Sequence, residues 1–268
     1  MGKFDGVLLA TDFDETYYTA AGAVAPANLD ALTYFKAEGG TFTVATGRAH
    51  RTFAPFLHLT PVNAPVILSN GAQLYDFAAG RMVLETTIAL TIAADLEELT
   101  ARNPQVGLEA YHGEEIYIWN PNAWTWYHLN KAGTGATECP ISAMPLPWGK
   151  AILHQDHPFL RKAQADLLSH WPERYEAIFS NPHMLEITAK GSTKGGMVLQ
   201  LAGLLGIRRE HIYCIGDNQN DIPMLAVSAI PFAPSNCARE VRDWGARLLS
   251  SCEEGAVADL VNVLDRIY

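Results

Sequence analysis

Val7-Leu8-Leu9-Ala10-Thr11-Asp12-Phe13-Asp14-Glu15-Thr16-Tyr17-Tyr18 is the stretch that decides how the rest of the chain is read. An apolar run of strand length stops abruptly at two carboxylates, Asp12 and Asp14, with Thr16 two residues further on. Two charges and a hydroxyl at a strand tip add nothing to packing and cost desolvation if buried, although they could simply face water. The alternative is a site at the carboxyl end of a parallel strand, where open α/β sheets place their chemistry. A single Asp-x-Asp-x-Thr arises often by chance, so the remainder of the chain has to choose between the two readings.

Working outward, Pro26 to Glu38 carries apolar residues at helical spacing (Leu29, Leu32, Phe35) and stops at Gly39-Gly40. Thr41 to Ala45 reads as a second strand, followed at once by Thr46-Gly47-Arg48 and a helical segment to about Leu57. Pro65 to Ser69 reads as a third strand with a tight turn at Asn70-Gly71, then two short β runs at Gln73 to Phe77 and Arg81 to Leu84. Strand, helix, strand, helix is the start of a doubly wound sheet.

The texture changes near Thr86. Helices are expected at Thr91 to Arg102, Asn122 to Lys131 and Pro158 to His170, with strands at Glu115 to Trp119, Gly149 to Gln155, Tyr175 to Phe179 and Met184 to Thr188. The α/β texture then resumes with a helix from Lys194 to Leu205 and a strand from His211 to Ile215 that runs into Gly216-Asp217-Asn218-Gln219-Asn220-Asp221. Helices at Asp221 to Val227, Ser235 to Trp244 and Gly255 to Ile267 follow, with short strands at Ala229 to Phe232 and Arg247 to Leu249. The expected fold class is therefore α/β: a Rossmann-like, doubly wound parallel-sheet core over residues 1–85 and 189–268, with an inserted α+β domain over 86–188.

Hydrophobic residues make up 49% of the 268 and charged residues 18%, so the chain buries a sizeable core. A formal net charge of −10 argues against nucleic acid or an anionic membrane as a partner. An anionic substrate would then need a local positive device: a metal ion, a lysine or a helix N-terminus. Cys139, Cys214, Cys237 and Cys252 form no Cys-x-x-Cys pair and no zinc-like pattern with histidine, and they are read as reduced. No apolar run reaches membrane-spanning length and no signal-peptide core is visible at the N-terminus, so a cytoplasmic protein, monomer or homodimer, is expected.

Four sites stand in one relation. Asp12 and Asp14 follow the first strand, Thr46 follows the second, Lys194 opens the helix after the insertion, and Asp217 with Asp221 follow the strand ending at Ile215. In a parallel sheet those ends face one crevice. Four carboxylates meeting there would repel one another unless they shared a cation, and hard oxygen ligands suit Mg²⁺.

The ordered set Asp12-x-Asp14-x-Thr16, Thr46-Gly47-Arg48, Lys194-Gly195 and Gly216-Asp217-x-x-Asn220-Asp221 resembles the haloacid dehalogenase-like phosphatases. The insertion, with Ser69-Asn70-Gly71-Ala72 and Leu185-Glu186-Ile187, is similar to the Cof-type branch (subfamily IIB), whose α+β cap is called C2B. The resemblance implies a Mg²⁺-dependent phosphomonoester hydrolase of small phosphorylated metabolites, sugar phosphates above all. It implies Asp12 as nucleophile forming an aspartyl-phosphate, and Asp14 as general acid and base whose main-chain carbonyl ligates the metal. Thr46 and Gly47 would hold the transferring phosphoryl group, and Lys194 would offset charge on nucleophile and phosphate. Asp217 and Asp221 would complete the metal site, and Asn220 would contact phosphate or hold its loop. The rival readings are a phosphosugar mutase using the same aspartyl-phosphate, and a non-catalytic protein that binds phosphorylated metabolites; intact charged positions in all four motifs speak against the second.

One position departs from the pattern. The family usually has Gly after the second Asp, and this chain has Glu15, which is expected to point away from the phosphate. Asn70-Gly71 is read mainly as a turn bordering the site. Gly191-Ser192-Thr193-Lys194-Gly195 lacks the spacing of a nucleotide-binding loop. His154 and His157 bracket Gln155-Asp156, but their spacing suggests no metal site. The aromatics Tyr111, Tyr117, Trp119, Trp124, Trp126 and Tyr127 are read as packing within the insertion rather than as a stacking platform. In this family the cap sets leaving-group specificity, so residues near Asn181 to Met184 and the Gly133 to Cys139 loop are candidates for it.

Overall fold

The computed structural model describes residues 2–268. They divide into two compact units, residues 2–84 with 193–268, and residues 85–192. The first unit begins with β1 (Leu8–Thr11), α1 (Pro26–Ala37), β2 (Thr41–Val44), α2 (His50–Phe53), β3 (Val66–Leu68), β4 (Gln73–Asp76) and β5 (Arg81–Glu85). The inserted unit holds α3 (Ile92–Arg102), β6 (Gly107–His112), β7 (Glu115–Trp119), α4 (Ala123–Ala132), β8 (Thr137–Glu138), β9 (Lys150–His154), α5 (His157–His170), β10 (Tyr175–Asn181) and β11 (Met184–Ala189). The first unit is completed by α6 (Lys194–Leu205), β12 (Ile212–Ile215), α7 (Ile222–Leu225), β13 (Pro231–Ala233), α8 (Arg239–Trp244), β14 (Arg247–Leu248) and α9 (Ala256–Ile267).

The main sheet of the first unit runs β14-β13-β12-β1-β2, and every pairing in it is parallel. Side chains alternate across its strands, so each face receives its own core. Val7, Leu9, Phe42, Val44, Tyr213 and Ile215 pack with Leu32 and Phe35 of α1 and with Val257, Leu260, Val261 and Leu264 of α9. On the other face Leu8, Ala10, Ile212 and Cys214 pack with Met197, Val198 and Leu201 of α6 and with Met224 and Leu225 of α7. Two helical layers over a parallel sheet explain why β1 reads as a continuous apolar run rather than an alternating one.

β1 lies between β2, reached through α1, and β12, reached only after the insertion. The chain therefore departs to opposite sides of β1, and that is a topological switch point with a crevice at the carboxyl ends of the strands. The pairing of Thr11 with Ile215 is continued by the Asp12 N–H, which donates to the Ile215 carbonyl at 2.9 Å. Asp12 and the loop after Ile215 are thereby held side by side.

The inserted unit is a six-stranded sheet in the order β10-β11-β9-β6-β7-β8. One face is apolar: Leu108, Ala110, Ala151, Leu153, Leu185 and Ile187 pack under α3 and α5 through Leu96, Leu99, Leu160 and Leu167. The residues in between, Glu109, Tyr111, Lys150, His154 and Glu186, alternate onto the opposite face and are also buried. β6 was not expected from the sequence, because its alternating Gly107 to His112 run is interrupted by a charge and bounded by weak turn signals. All four cysteines are free, with Cys139 half-buried and the others buried. Trp124 stacks on His183 with ring centres 3.5 Å apart, whereas Trp126 and Tyr127 are exposed. Among the described residues no helix is long and apolar enough to cross a membrane.

Three expected helices are shorter than their apolar spacing suggests. The segment after Thr46 becomes helical only at His50 and passes into a 3₁₀ turn at Ala54, where Pro55 follows. The segment from Asp221 is a short helix opened by a 3₁₀ turn. Ser235 to Ala238 is not helical: the Asn236 side chain donates to the Glu15 carbonyl at 2.8 Å and accepts the Cys252 N–H at 2.9 Å, so this segment answers to two distant loops.

Glu15 has φ +63°, a left-handed conformation that glycine adopts freely and that costs a side-chain-bearing residue about 1–2 kcal/mol. Its side chain is exposed. Replacing Glu15 by Gly relieves that strain but frees the unfolded chain, leaving a net gain of about 0.5–1 kcal/mol. The Glu15→Gly variant is therefore expected to show a higher urea midpoint than wild type; an unchanged or lower midpoint would show that Glu15 makes compensating contacts.

Candidate active site

Asp12 sits one residue past β1, 6% exposed, and Lys194 is the first residue of α6, 1% exposed. The Lys194 Nζ donates to Asp12 Oδ1 at 2.5 Å and to Asp221 Oδ1 at 2.6 Å. The other oxygen of Asp221 accepts the main-chain N–H groups of Asp217 and Asn218 at 2.9 and 3.0 Å. Thr16 donates its hydroxyl to Asp217 Oδ1 at 3.0 Å. Carboxylate oxygens of Asp12, Asp217 and Asp221 all lie within 4.8 Å of one another.

Two glycines permit this density. A Cβ on Gly216 would lie 2.4 Å from the Asp221 Cβ, and one on Gly195 would lie 2.0 Å from the Pro223 carbonyl oxygen. Both positions therefore have to be glycine for Asp221 and the start of α6 to come as close as they do.

The electrostatics are unbalanced. Three carboxylates against one ammonium leave two negative charges unmatched. Burial, followed by the neighbouring Asp221, pushes the Asp12 carboxyl well above the usual range despite Lys194. Burial and Asp221 likewise push Asp217 up to about 7. For Lys194, burial alone would favour the neutral amine, but the charges of Asp12 and Asp221 outweigh it and hold the ammonium. A divalent cation would supply the missing charge, and a set of carboxylate oxygens fits Mg²⁺.

The sequence places four carboxylates in the cluster, and the structure gathers three. The carboxylate of Asp14 is 50% exposed and is turned to Arg48, which grips it with two bonds of 2.6 and 2.9 Å. The planar guanidinium matches both oxygens at once, and it is itself held over the Phe56 ring at 4.6 Å from the centroid. Arg48 belongs to the Thr46-Gly47-Arg48 motif, yet nothing in the spacing shows which acid it would meet.

Thr46 is buried and its hydroxyl accepts the Arg48 N–H at 3.1 Å. The Thr46 loop is fastened to the Ser69–Gly71 turn: the Ser69 N–H donates to the Arg48 carbonyl and the Asn70 N–H to the Thr46 carbonyl, each at 2.9 Å. Ser69, Asn70 and Gly71 all have positive φ, at 50°, 55° and 98°. A Cβ on Gly71 would lie 2.2 Å from the Thr193 carbonyl oxygen, so the turn rests directly on the start of α6. Three consecutive left-handed residues are a strained arrangement, of the kind found at functional sites. Asn70 Oδ1 accepts from Asn220 Nδ2 at 3.1 Å, while its own Nδ2 is buried without a hydrogen-bond partner. A Cβ on Gly47 would lie 3.2 Å from that same nitrogen. Asn70 is thus more than a turn residue: it links the Thr46 loop to the Asn220 loop and has a donor left over.

The folded-state pKa of Asp217, about 7, lies above its unfolded value of 3.8. The folded chain therefore keeps a proton that the unfolded chain has released, and stability falls as pH rises from about 4 through about 7. In metal-stripped protein the urea midpoint is expected to drop between pH 5 and pH 8, and Asp217→Asn is expected to flatten that drop. Equal drops in the two proteins would show that Asp217 does not carry the effect.

A sequence-family model described as haloacid dehalogenase-like hydrolase matches residues 9–261. The 5-amino-6-(5-phospho-D-ribitylamino)uracil phosphatase YwtE of Bacillus subtilis (strain 168) is 25% identical over 281 residues, covering 96% of this chain and 97% of its own. The pyridoxal phosphate phosphatase YbhA of Escherichia coli (strain K12) is 24% identical over 255 residues, covering 88% and 90%. Among solved structures, the haloacid dehalogenase subclass IIB sugar phosphatase BT4131 superposes with a TM-score of 0.84 at 18% identity, over 97% of this chain and 99% of that one. With the aspartate cluster at its switch point and a family match over almost its whole length, the chain belongs to the haloacid dehalogenase-like hydrolases, in their Cof-type branch.

Proposed function

We propose that this protein is a Mg²⁺-dependent phosphomonoester hydrolase of small phosphorylated metabolites, with sugar phosphates the leading class, working through an aspartyl-phosphate on Asp12. The observation that carries the reading is the buried Lys194 bridging Asp12 and Asp221 with Asp217 alongside. The full-length relatives named above act on phosphorylated metabolites, and that supports the substrate class.

In this reading Asp12, whose charge Lys194 and a bound cation would together hold, attacks phosphorus in line with the leaving oxygen. The solvent-exposed Asp14 delivers a proton to that oxygen, then takes one from the water that attacks the phosphorus and frees Asp12. Thr46, the Gly47 amide and Asn220 hold the transferring phosphoryl group, and Lys194 stabilises its developing charge. Asp12, Asp217 and Asp221, with the Asp14 carbonyl, would hold Mg²⁺, which when bound neutralises charge on the phosphoryl oxygens. Residues 85–192 serve as a C2B-type cap that selects the leaving group, and the protein works in the cytoplasm as a monomer or homodimer.

The test is a phosphate-release screen over sugar phosphates, pyridoxal phosphate and nucleotides, with Mg²⁺ and with chelator. Wild type is expected to release phosphate only with metal, and Asp12→Asn to lose at least about 10³-fold in kcat. Release from no compound, or equal release by Asp12→Asn, would overturn the proposal.

A further inference from the structure

The inserted unit carries a second convergence of ligand-type side chains, assembled from three separate elements. Glu109 on β6 and His154 on β9 are fully buried on the polar face of the sheet, and His128 on α4 reaches the same point. His154 Nε2 lies 2.9 Å from Glu109 Oε1, and His128 Nδ1 lies 3.1 and 3.0 Å from Glu109 Oε1 and Oε2. One ligand atom from each residue falls within 4.8 Å of the others.

Hydrogen bonding accounts for part of this group only. His154 Nε2 lies against Glu109 Oε1 at 2.9 Å, whereas its Nδ1 has no hydrogen-bond partner. The buried imidazole therefore has one nitrogen without a partner, which is costly, and its other nitrogen is aimed into the cluster. Neighbouring ligands held at about 2.1 Å from a common ion, with angles between 90° and 109°, are about 3.0–3.4 Å apart. The two histidine contacts to Glu109, at 2.9 and 3.0 Å, sit at the short edge of that spacing, and the third pair lies within 4.8 Å. The Tyr111 hydroxyl donates to Glu109 Oε2 at 2.8 Å, the kind of outer contact that orients a ligating carboxylate. His128 is 22% exposed and offers a path in from solvent.

We infer that Glu109, His128 and His154 form a binding site for a divalent transition-metal ion of the zinc class, which fastens α4 to β6 and β9. Two imidazoles and one carboxylate suit Zn²⁺ and its neighbours, whereas Mg²⁺ prefers the all-oxygen set of Asp12, Asp217 and Asp221. The three ligands come from residues 109, 128 and 154 with no local spacing between them, so no sequence motif announces the site.

The test is zinc titration of the full-length, metal-stripped protein in millimolar Mg²⁺, by chelator competition and by the zinc-dependent shift in Tm. Wild type and Asp217→Asn are expected to bind one Zn²⁺ with equal affinity and to gain Tm. His128→Gln is expected to weaken binding at least about tenfold and to lose the shift, and Glu109→Gln to do the same. Since His128 lies on a partly exposed helix face, its variant keeps the test usable if Glu109→Gln fails to fold. Zinc binding unchanged in His128→Gln, binding abolished by Asp217→Asn, or no zinc uptake by wild type would each overturn the inference and leave a histidine–carboxylate network alone.

Discussion

Everything at the switch point depends on one buried ammonium. Lys194 holds Asp12 and Asp221 at 2.5 and 2.6 Å, where all three side chains are buried. Burying a paired charge yields little stability, because desolvation consumes most of the Coulomb attraction, whereas removing one partner leaves a charge stranded. The cluster goes further than a pair, with Asp217 as a third acid and two negative charges uncompensated. Such an arrangement is unfavourable as architecture, and clusters of this kind mark functional sites.

The fold pays for this arrangement through backbone geometry. The parallel pairing of β1 with β12 carries Asp12 and Asp217 to adjacent positions. Gly216 and Gly195 let Asp221 and the start of α6 close in, and the strained Ser69–Gly71 turn ties the Thr46 loop to α6. The amides of Asp217 and Asn218 occupy the other oxygen of Asp221, and the hydroxyl of Thr16 occupies one oxygen of Asp217. None of these devices improves the packing of the two apolar cores, which α1, α9, α6 and α7 would supply without them.

Local signals in the sequence were enough for the core strands, for the span of α6 between Lys194 and Gly206, and for the order of the four motifs. Each of these depends on periodicity or on a terminating residue close by. The features that were not legible depend on partners far along the chain. Arg48 meets Asp14 across 34 residues, so the acid thought to join the cluster is held outside it. Asn236 answers to Glu15 and Cys252, and this removes a helical turn that its neighbours would otherwise support. Glu109 lies on a strand that sequence reasoning passed over, and His154, set aside on its spacing to His157, finds its neighbours on β6 and α4 instead. The positive φ of Glu15 gives the physical reason why glycine is usual there.

The central claim is that Asp12 takes the phosphoryl group covalently. It is tested most directly by mixing enzyme with ³²P-labelled substrate and Mg²⁺, quenching in acid within a turnover, and mapping the labelled peptide. An acid-stable, base-labile phosphate is expected on the peptide that contains Asp12, absent from Asp12→Asn. Label on any other residue, or turnover with no covalent label at any quench time, would contradict it.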